Sequence, residues 1–239
     1  MKICSSQIKF YLLIICITFC CSTRLSAQEN PVENYLQQTG DFADIYNGRV
    51  ETNYNALKYK NTPYYRNSDY TDASIVYRNI YYPNQKVRLD LYREQLIILS
   101  PEKRYGIIAN SPDVEKILMY NKTFEWLNPP KESGLKQGFY IHLSEGKKIQ
   151  LYGKDSYSLA QDLLTYKFDH KTRYYLLYDN RFYAVNNKGS FSKLFPQYKK
   201  QIKQFVNARK LNFKNENGEE SFASLAGYCE ELITSTGKQ

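Results

Sequence analysis

Val87-Arg88-Leu89-Asp90-Leu91-Tyr92 runs into Arg93-Glu94, and Leu96-Ile97-Ile98-Leu99 follows before Pro101. In the first run Val87, Leu89 and Leu91 alternate with Arg88, Asp90 and Tyr92, so one face of an extended strand is apolar and the other is solvated. The second run returns as its partner across the Arg93-Glu94 turn. This hairpin sets a period of two for the region around it. Gly138-Phe139-Tyr140-Ile141-His142-Leu143 turns at Ser144-Glu145-Gly146 into Lys148-Ile149-Gln150-Leu151-Tyr152. Arg173-Tyr174-Tyr175-Leu176-Leu177-Tyr178 turns at Asp179-Asn180 into Phe182-Tyr183-Ala184-Val185.

Working outward, Asn47-Gly48 between Ile45-Tyr46 and Val50-Glu51-Thr52 predicts a type I′ hairpin, whose central residues need positive φ. The segment 114–120 reads as a strand, 129–134 as a turn or loop, and 156–164 as a loop or one helical turn. Towards the N-terminus, Val32, Tyr35 and Leu36 mark a short helix ending near Gly40. After Ser190 the period lengthens. Pro196 suits the first turn of a helix, and Tyr198, Ile202, Phe205 and Val206 recur at helical spacing opposite Lys199, Lys200 and Lys203. A second helix begins after Asn217-Gly218, with Phe222, Leu225, Ala226, Cys229, Leu232 and Ile233 on one stripe. The expected fold is mainly β (α+β): an antiparallel meander or barrel-like curled sheet, closed by a C-terminal pair of amphipathic helices. Its divisions are a leader over 1–27, a β domain with a short N-terminal helix over 28–188, and the helical pair over 189–239.

The leader reading rests on residues 10–21, an apolar run with Thr18 as its one polar residue, after Lys2 and Lys9 and before Leu25-Ser26-Ala27-Gln28, with no acidic residue in the first 28. That is the pattern of a secretory signal peptide. As a helix the run spans roughly 18 Å, short of the ~30 Å hydrocarbon core. Four of the five cysteines (Cys4, Cys16, Cys20 and Cys21) fall in the leader, leaving Cys229 alone and no internal disulfide after cleavage. Lipidation at Cys20 or Cys21 would anchor the chain instead, although bulky Phe19 fits a lipoprotein signal badly. Periplasm or cell surface is the expected location.

The chain carries a formal net charge of +9. Removing Lys2, Lys9 and Arg24 leaves 30 basic against 24 acidic residues, which suits a solvated surface. Export argues against nucleic acid as the partner. Anionic lipid at Lys199, Lys200 and Lys203 is a further possibility.

Several motifs occur in one order: Thr62-Pro63-Tyr64-Tyr65, Ser74-Ile75-Val76-Tyr77, the 87–98 hairpin, Gly138-Phe139-Tyr140, Tyr174-Tyr175-Leu176 and Leu194-Phe195-Pro196 with Lys199-Lys200 and Ile202. Together they resemble a group of exported proteins from Bacteroidota-type bacteria with no assigned activity. The resemblance implies an envelope location and supplies no catalytic residue.

No HExxH, CxxC, GxSxG or DxDxDG motif occurs, and the two histidines, His142 and His170, are far apart. Sequence therefore names no catalytic residue, no metal site and no cofactor. His142 reads as a surface or rim histidine. Asp90 and Glu94 read as the solvated flanks of a hairpin tip. Glycosidases need only two carboxylates suitably placed in space, so a secreted carbohydrate or cell-wall hydrolase with dispersed carboxylates stays open as the alternative. The anomaly is tyrosine, 24 residues against one tryptophan. Tyrosine offers apolar area with a hydroxyl handle. The segments 62–66 and 79–84 combine it with proline and asparagine in expected loops, making Tyr64, Tyr65, Tyr81 and Tyr82 the candidate binding residues. The leading expectation is a non-enzymatic envelope protein that binds a protein or glycan through a tyrosine-rich β surface.

Overall fold

The structure is a computed structural model that describes residues 35, 38–40, 43–214 and 218–236. The leader, Cys20 and Cys21, and most of the expected 32–38 helix lie outside the described residues. Tyr35, Gln38 and Thr39 are helical, and the Thr39 hydroxyl donates to the Tyr35 carbonyl at 2.7 Å. Residues 1–40 form one unit and 41–239 another.

The second unit is built on eleven strands. They are β1 (Arg49–Val50), β2 (Thr71–Tyr77), β3 (Ile80–Asp90), β4 (Gln95–Leu99), β5 (Gly106–Ile108), β6 (Val114–Met119), β7 (Lys122–Leu127), β8 (Gly138–Glu145), β9 (Ile149–Asp162), β10 (Thr165–Tyr178) and β11 (Arg181–Val185). All pair antiparallel in one sheet of order β1-β5-β4-β3-β2-β6-β7-β8-β9-β10-β11. The ladder is open, with β1 and β11 as its two edges. Three helices follow: α1 (Lys188–Leu194), α2 (Lys199–Ala208) and α3 (Gly218–Thr236).

All three hairpins read from the sequence are present, for example Arg88 with Ile97 and Leu176 with Tyr183. The first, however, turns over residues 91–94 rather than 93–94. In the second the register shifts between His142 and Ser144, so that Ser144 and Glu145 belong to β8 rather than to the turn. Asp179 and Asn180 have φ of 50° and 57°, the two positive values a type I′ turn demands. The Asn47-Gly48 hairpin is corrected. Asp44–Tyr46 is a single 3-10 turn, and β1 pairs with β5 rather than with the residues before it. Gly48 serves close approach instead, because a Cβ there would lie 2.2 Å from the Ile108 carbonyl oxygen.

Within the 79–84 segment Asn79 is a turn residue, and residues 80–84 are strand, not loop. Its proline and asparagine mark a β-bulge: the β2–β3 register slips between Ala73 and Ile75, and Asn84 sits at φ 54°. Proline is tolerated inside sheets at such bulges, and the extra residue bends the strand. The bend is large. Asp113 accepts a backbone hydrogen bond from Arg78 at one end of β3, and Ser111, two residues earlier, donates to the Glu94 carbonyl beyond the other end. A straight strand of that length would hold those ends roughly 33 Å apart, so the first half of the sheet curls.

Residues 156–164, expected as a loop or one helical turn, are corrected to strand over 156–162 and a two-residue turn at 163–164. β9 and β10 form one long hairpin, paired from Ile149–Tyr178 out to Asp162–Thr165. The C-terminal layer holds three helices where a pair was expected, α1 being the addition. Its N-cap is Asn187, whose side chain accepts from Gly189 and Ser190. The helices lie on the sheet face that carries Leu151 and Leu176. Phe191, Phe195, Ile202, Val206, Phe222, Leu225 and Cys229 complete that core. Burial pushes the Cys229 thiol up to about 12, so it behaves as a small hydrophobe. Among the described residues no helix is long and apolar enough to cross a membrane.

Candidate functional site

The four candidate tyrosines are split between inside and outside. Tyr64 and Tyr82 are buried, so neither ring is a contact surface. Tyr64 donates to Glu51 Oε1 at 2.7 Å and bridges to Asp90 in the ladder. Tyr65 is half-buried edge-on against Phe124 at 4.8 Å. Tyr81 is exposed, with its hydroxyl 3.0 Å from Ser74 Oγ. Strand alternation separates Tyr81 from Tyr82, and Tyr65 lies in a bend just after the Tyr64 bridge. The structure does not gather the four into one groove.

Asp90 and Glu94, expected to be solvated, are instead parts of an internal network. Residues 51–54 cross the face that Arg88 and Asp90 share. Asp90 is fully buried; Oδ1 accepts the Tyr92 and Arg93 amides at 2.9 Å each, and Oδ2 accepts the Tyr54 hydroxyl at 2.8 Å. Burial raises its pKa against those hydrogen bonds. Glu94 takes Lys154 Nζ at 2.5 Å on Oε1 and the Phe139 amide at 2.8 Å on Oε2. Burial pushes Glu94 up and Lys154 down, and their mutual attraction opposes both shifts. Alongside, Glu51 pairs with Arg88 at 2.5 Å, whose guanidinium lies 4.5 Å from the Tyr64 ring and 4.7 Å from the Tyr70 ring. Every oxygen of Asp90 and Glu94 therefore has a partner within the protein. This arrangement ties both carboxylates into the fold.

On the sheet face opposite the helices, Glu125 of β7 and His142 of β8 meet. His142 Nδ1 donates to Glu125 Oε1 at 3.1 Å, Lys116 approaches the same oxygen at 3.4 Å, and Tyr152 stacks on the imidazole at 4.8 Å. His142 is far less exposed than a rim histidine, and its Nε2 is buried without a partner. The Glu125 hydrogen bond and charge, with Glu145, raise its pKa above the usual 6.5 against burial and Lys116. Burial pushes Glu125 up, but His142 and Lys116 pull it net below 4.5. A raised histidine stabilises the fold fully below its unfolded pKa, and that contribution is lost as pH rises through the folded value. His142→Gln is therefore expected to cost more at pH 5.5 than at pH 8.5, by about 1 kcal/mol. Urea unfolding of both proteins at the two pH values measures the difference.

The other histidine, His170, is exposed and meets Asp155 at 3.0 Å, while adjacent Asp169 pairs with Lys167. Lys199, Lys200 and Lys203 are exposed on α2, opposite buried Ile202 and Val206. No cluster of His, Cys, Asp and Glu with metal-binding geometry occurs among the described residues.

Two grooves flank the Asp179-Asn180 turn. One, of about 550 Å³, lies between Pro130, Glu132 and Ser133 and the residues Arg181, Phe182 and Tyr183. The other, of about 470 Å³, is lined by Lys147, Lys148, Gln150, Leu177 and Tyr178. In a two-residue hairpin the pairs Tyr178–Arg181, Leu176–Tyr183 and Tyr174–Val185 exchange hydrogen bonds. Phe182 and Ala184 then direct their N–H and C=O groups outward, away from β10. The β10–β11 hairpin is legible in the sequence, but the place of β11 at the end of the sheet is not, because edge position is set by pairings elsewhere.

Comparison with protein-family models, with curated proteins and with solved structures finds no match to the chain.

Proposed function

We propose that this chain is an exported, non-enzymatic protein of the cell envelope that holds a protein partner by adding a strand of it to β11. One observation carries the reading: the outward row of backbone groups at Phe182 and Ala184 beside a groove that can seat alternate side chains. Main-chain hydrogen bonds supply affinity in this mode and flanking pockets supply specificity. The edge is short and starts with Arg181, features that limit indiscriminate pairing. The leader at 1–27 and the resemblance to exported Bacteroidota-type proteins support the envelope location. The aromatic contribution shrinks from four tyrosines to Phe182 and Tyr183.

The test compares wild type with Ala184→Pro, which removes an outward N–H and leaves the β10 ladder intact. Both proteins are used as bait in native envelope, after thermal unfolding has shown that both are folded. A partner retained by wild type, lost by A184P, and protecting the Phe182 and Ala184 amides from hydrogen exchange supports the reading. Equal retention by both baits overturns it. Intact mass of the recovered bait tests export, since the full-length chain from the cytosol contradicts it.

A further inference from the structure

Leu163 and Leu164 form the tip of the long β9–β10 hairpin and are 87% and 97% exposed. They are its entire two-residue turn, because Asp162 pairs with Thr165. Leu163 sits at φ 53°, where a bulky side chain is strained and glycine, asparagine or aspartate is the usual occupant. A turn this unfavourable persists only when something other than the turn selects it.

A second element brings a third leucine to the same end. Residues 56–58 form a turn closed by the Lys58 and Tyr59 amides donating to the Asn55 carbonyl. Tyr59 then makes a parallel bridge to Tyr166, the Tyr166 amide donating to the Lys58 carbonyl and the Lys60 amide to the Tyr166 carbonyl. Leu57, 90% exposed, is in that turn two residues before the bridge, and Leu164 is two residues before Tyr166 on the other side of it. One layer below the leucines lie Tyr59 and Tyr166, 5.7 Å apart, Lys58 over the Tyr166 ring at 5.9 Å, and Lys60 paired with Asp162.

We propose that this tip inserts into the interfacial layer of a lipid bilayer. Aliphatic residues at the point, with tyrosine and lysine immediately behind them, reproduce the order in which a membrane interface accepts side chains. Three leucines fall far short of the 20–30 residues a side of a stable dimer interface. Leucine is also under-represented among the residues that dominate protein–protein binding. A convex aliphatic point therefore suits a deformable apolar medium. The contact is peripheral and reversible, and it is independent of the β11 edge.

The test is flotation of the chain as cells deliver it, its N-terminus fixed by intact mass, with phosphatidylcholine vesicles and with vesicles containing phosphatidylglycerol. Leu57→Asp with Leu164→Asp is expected to lower the bound fraction at least about tenfold. Leu163→Gly is expected to lower binding while leaving thermal stability equal or higher, because it relieves the positive φ. A Leu164→Trp variant should shift its emission to the blue on mixing with vesicles. Replacing Lys199, Lys200 and Lys203 together with glutamate should leave binding to phosphatidylcholine unchanged. Three results overturn the proposal: no vesicle binding by wild type, binding unaffected by the aspartates, or loss only in the triple glutamate variant.

Discussion

Lys154→Ala is expected to destabilise the protein by about 3–5 kcal/mol, the cost of removing one partner of a buried pair. The side chain is mostly buried, and its ammonium contacts Glu94 Oε1 and, at 2.9 Å, the Phe139 carbonyl. It also lies 4.8 Å from the Tyr140 ring. Without it Glu94 keeps the Phe139 amide and loses its countercharge. The lower end of the range is expected, because 22% of the Glu94 side chain remains exposed and water relieves part of the loss. The loss should depend on pH. Glu94 already has a raised pKa in the fold, and losing the cation raises it further. A carboxyl group with a raised folded pKa favours the fold below its unfolded value near 4.5, and that advantage is lost as pH rises through the folded value. The K154A deficit should therefore shrink between pH 7 and pH 5. E94Q/K154M, which removes both charges and keeps volume, should recover most of the stability. Urea unfolding of wild type, E94Q, K154M and E94Q/K154M, with K154A measured beside them, completes the double-mutant cycle. A K154A protein as stable as wild type would falsify the assignment of this pair as structural.

The same network marks the limit of what the sequence discloses. Alternation at 87–92 correctly placed Val87 and Leu89 on one face. It could not reveal that residues 51–54 cross the other face and bury Asp90, because that contact joins residues about 36 positions apart. Period reports which residues share a face, not what covers the face. Gly138 shows the same dependence: it sits at φ 148°, and a Cβ there would fall 2.4 Å from the Glu94 carboxylate. Turn chemistry was a better guide where it was obeyed. Asp179-Asn180 is a turn because both residues tolerate positive φ. Pro83-Asn84 carried a true signal of irregular backbone, yet the irregularity is a bulge inside a strand. The β9–β10 hairpin was missed for the opposite reason. Its tip, Leu163-Leu164, uses no turn residue, and Ser156, Ser158 and Gln161 weaken the strand pattern on either side. Places where local sequence rules fail are where function is sought first, and this is the segment that carries the proposed membrane contact.

The helical layer was the most legible part, and Phe222→Ala tests why. Phe222, Leu225, Ala226 and Cys229 recur at i, i+3, i+4 and i+7, and the structure buries all four. Phe222 is the centre of an aromatic group, 4.3 Å from Tyr174 of β10, 4.9 Å from Phe213 and 6.3 Å from Phe191 of α1. Its removal leaves a cavity shared by the sheet, α1 and α3, and a cost of about 3–5 kcal/mol is expected. Phe222→Leu, which keeps much of the volume, should cost less than about 1.5 kcal/mol. The damage should be local before it is global. Amide hydrogen exchange in F222A is expected to speed up in α1 and α3, while amides of β3 and β4 keep their protection relative to global unfolding. Those strands draw on a separate core of Ile75, Val87, Leu89, Leu96 and Ile98. Uniform acceleration across the whole sheet would instead mean that the helices and the curled half unfold as one cooperative unit. A Tm within a degree of wild type would mean that the aromatic group is not what holds the helices down.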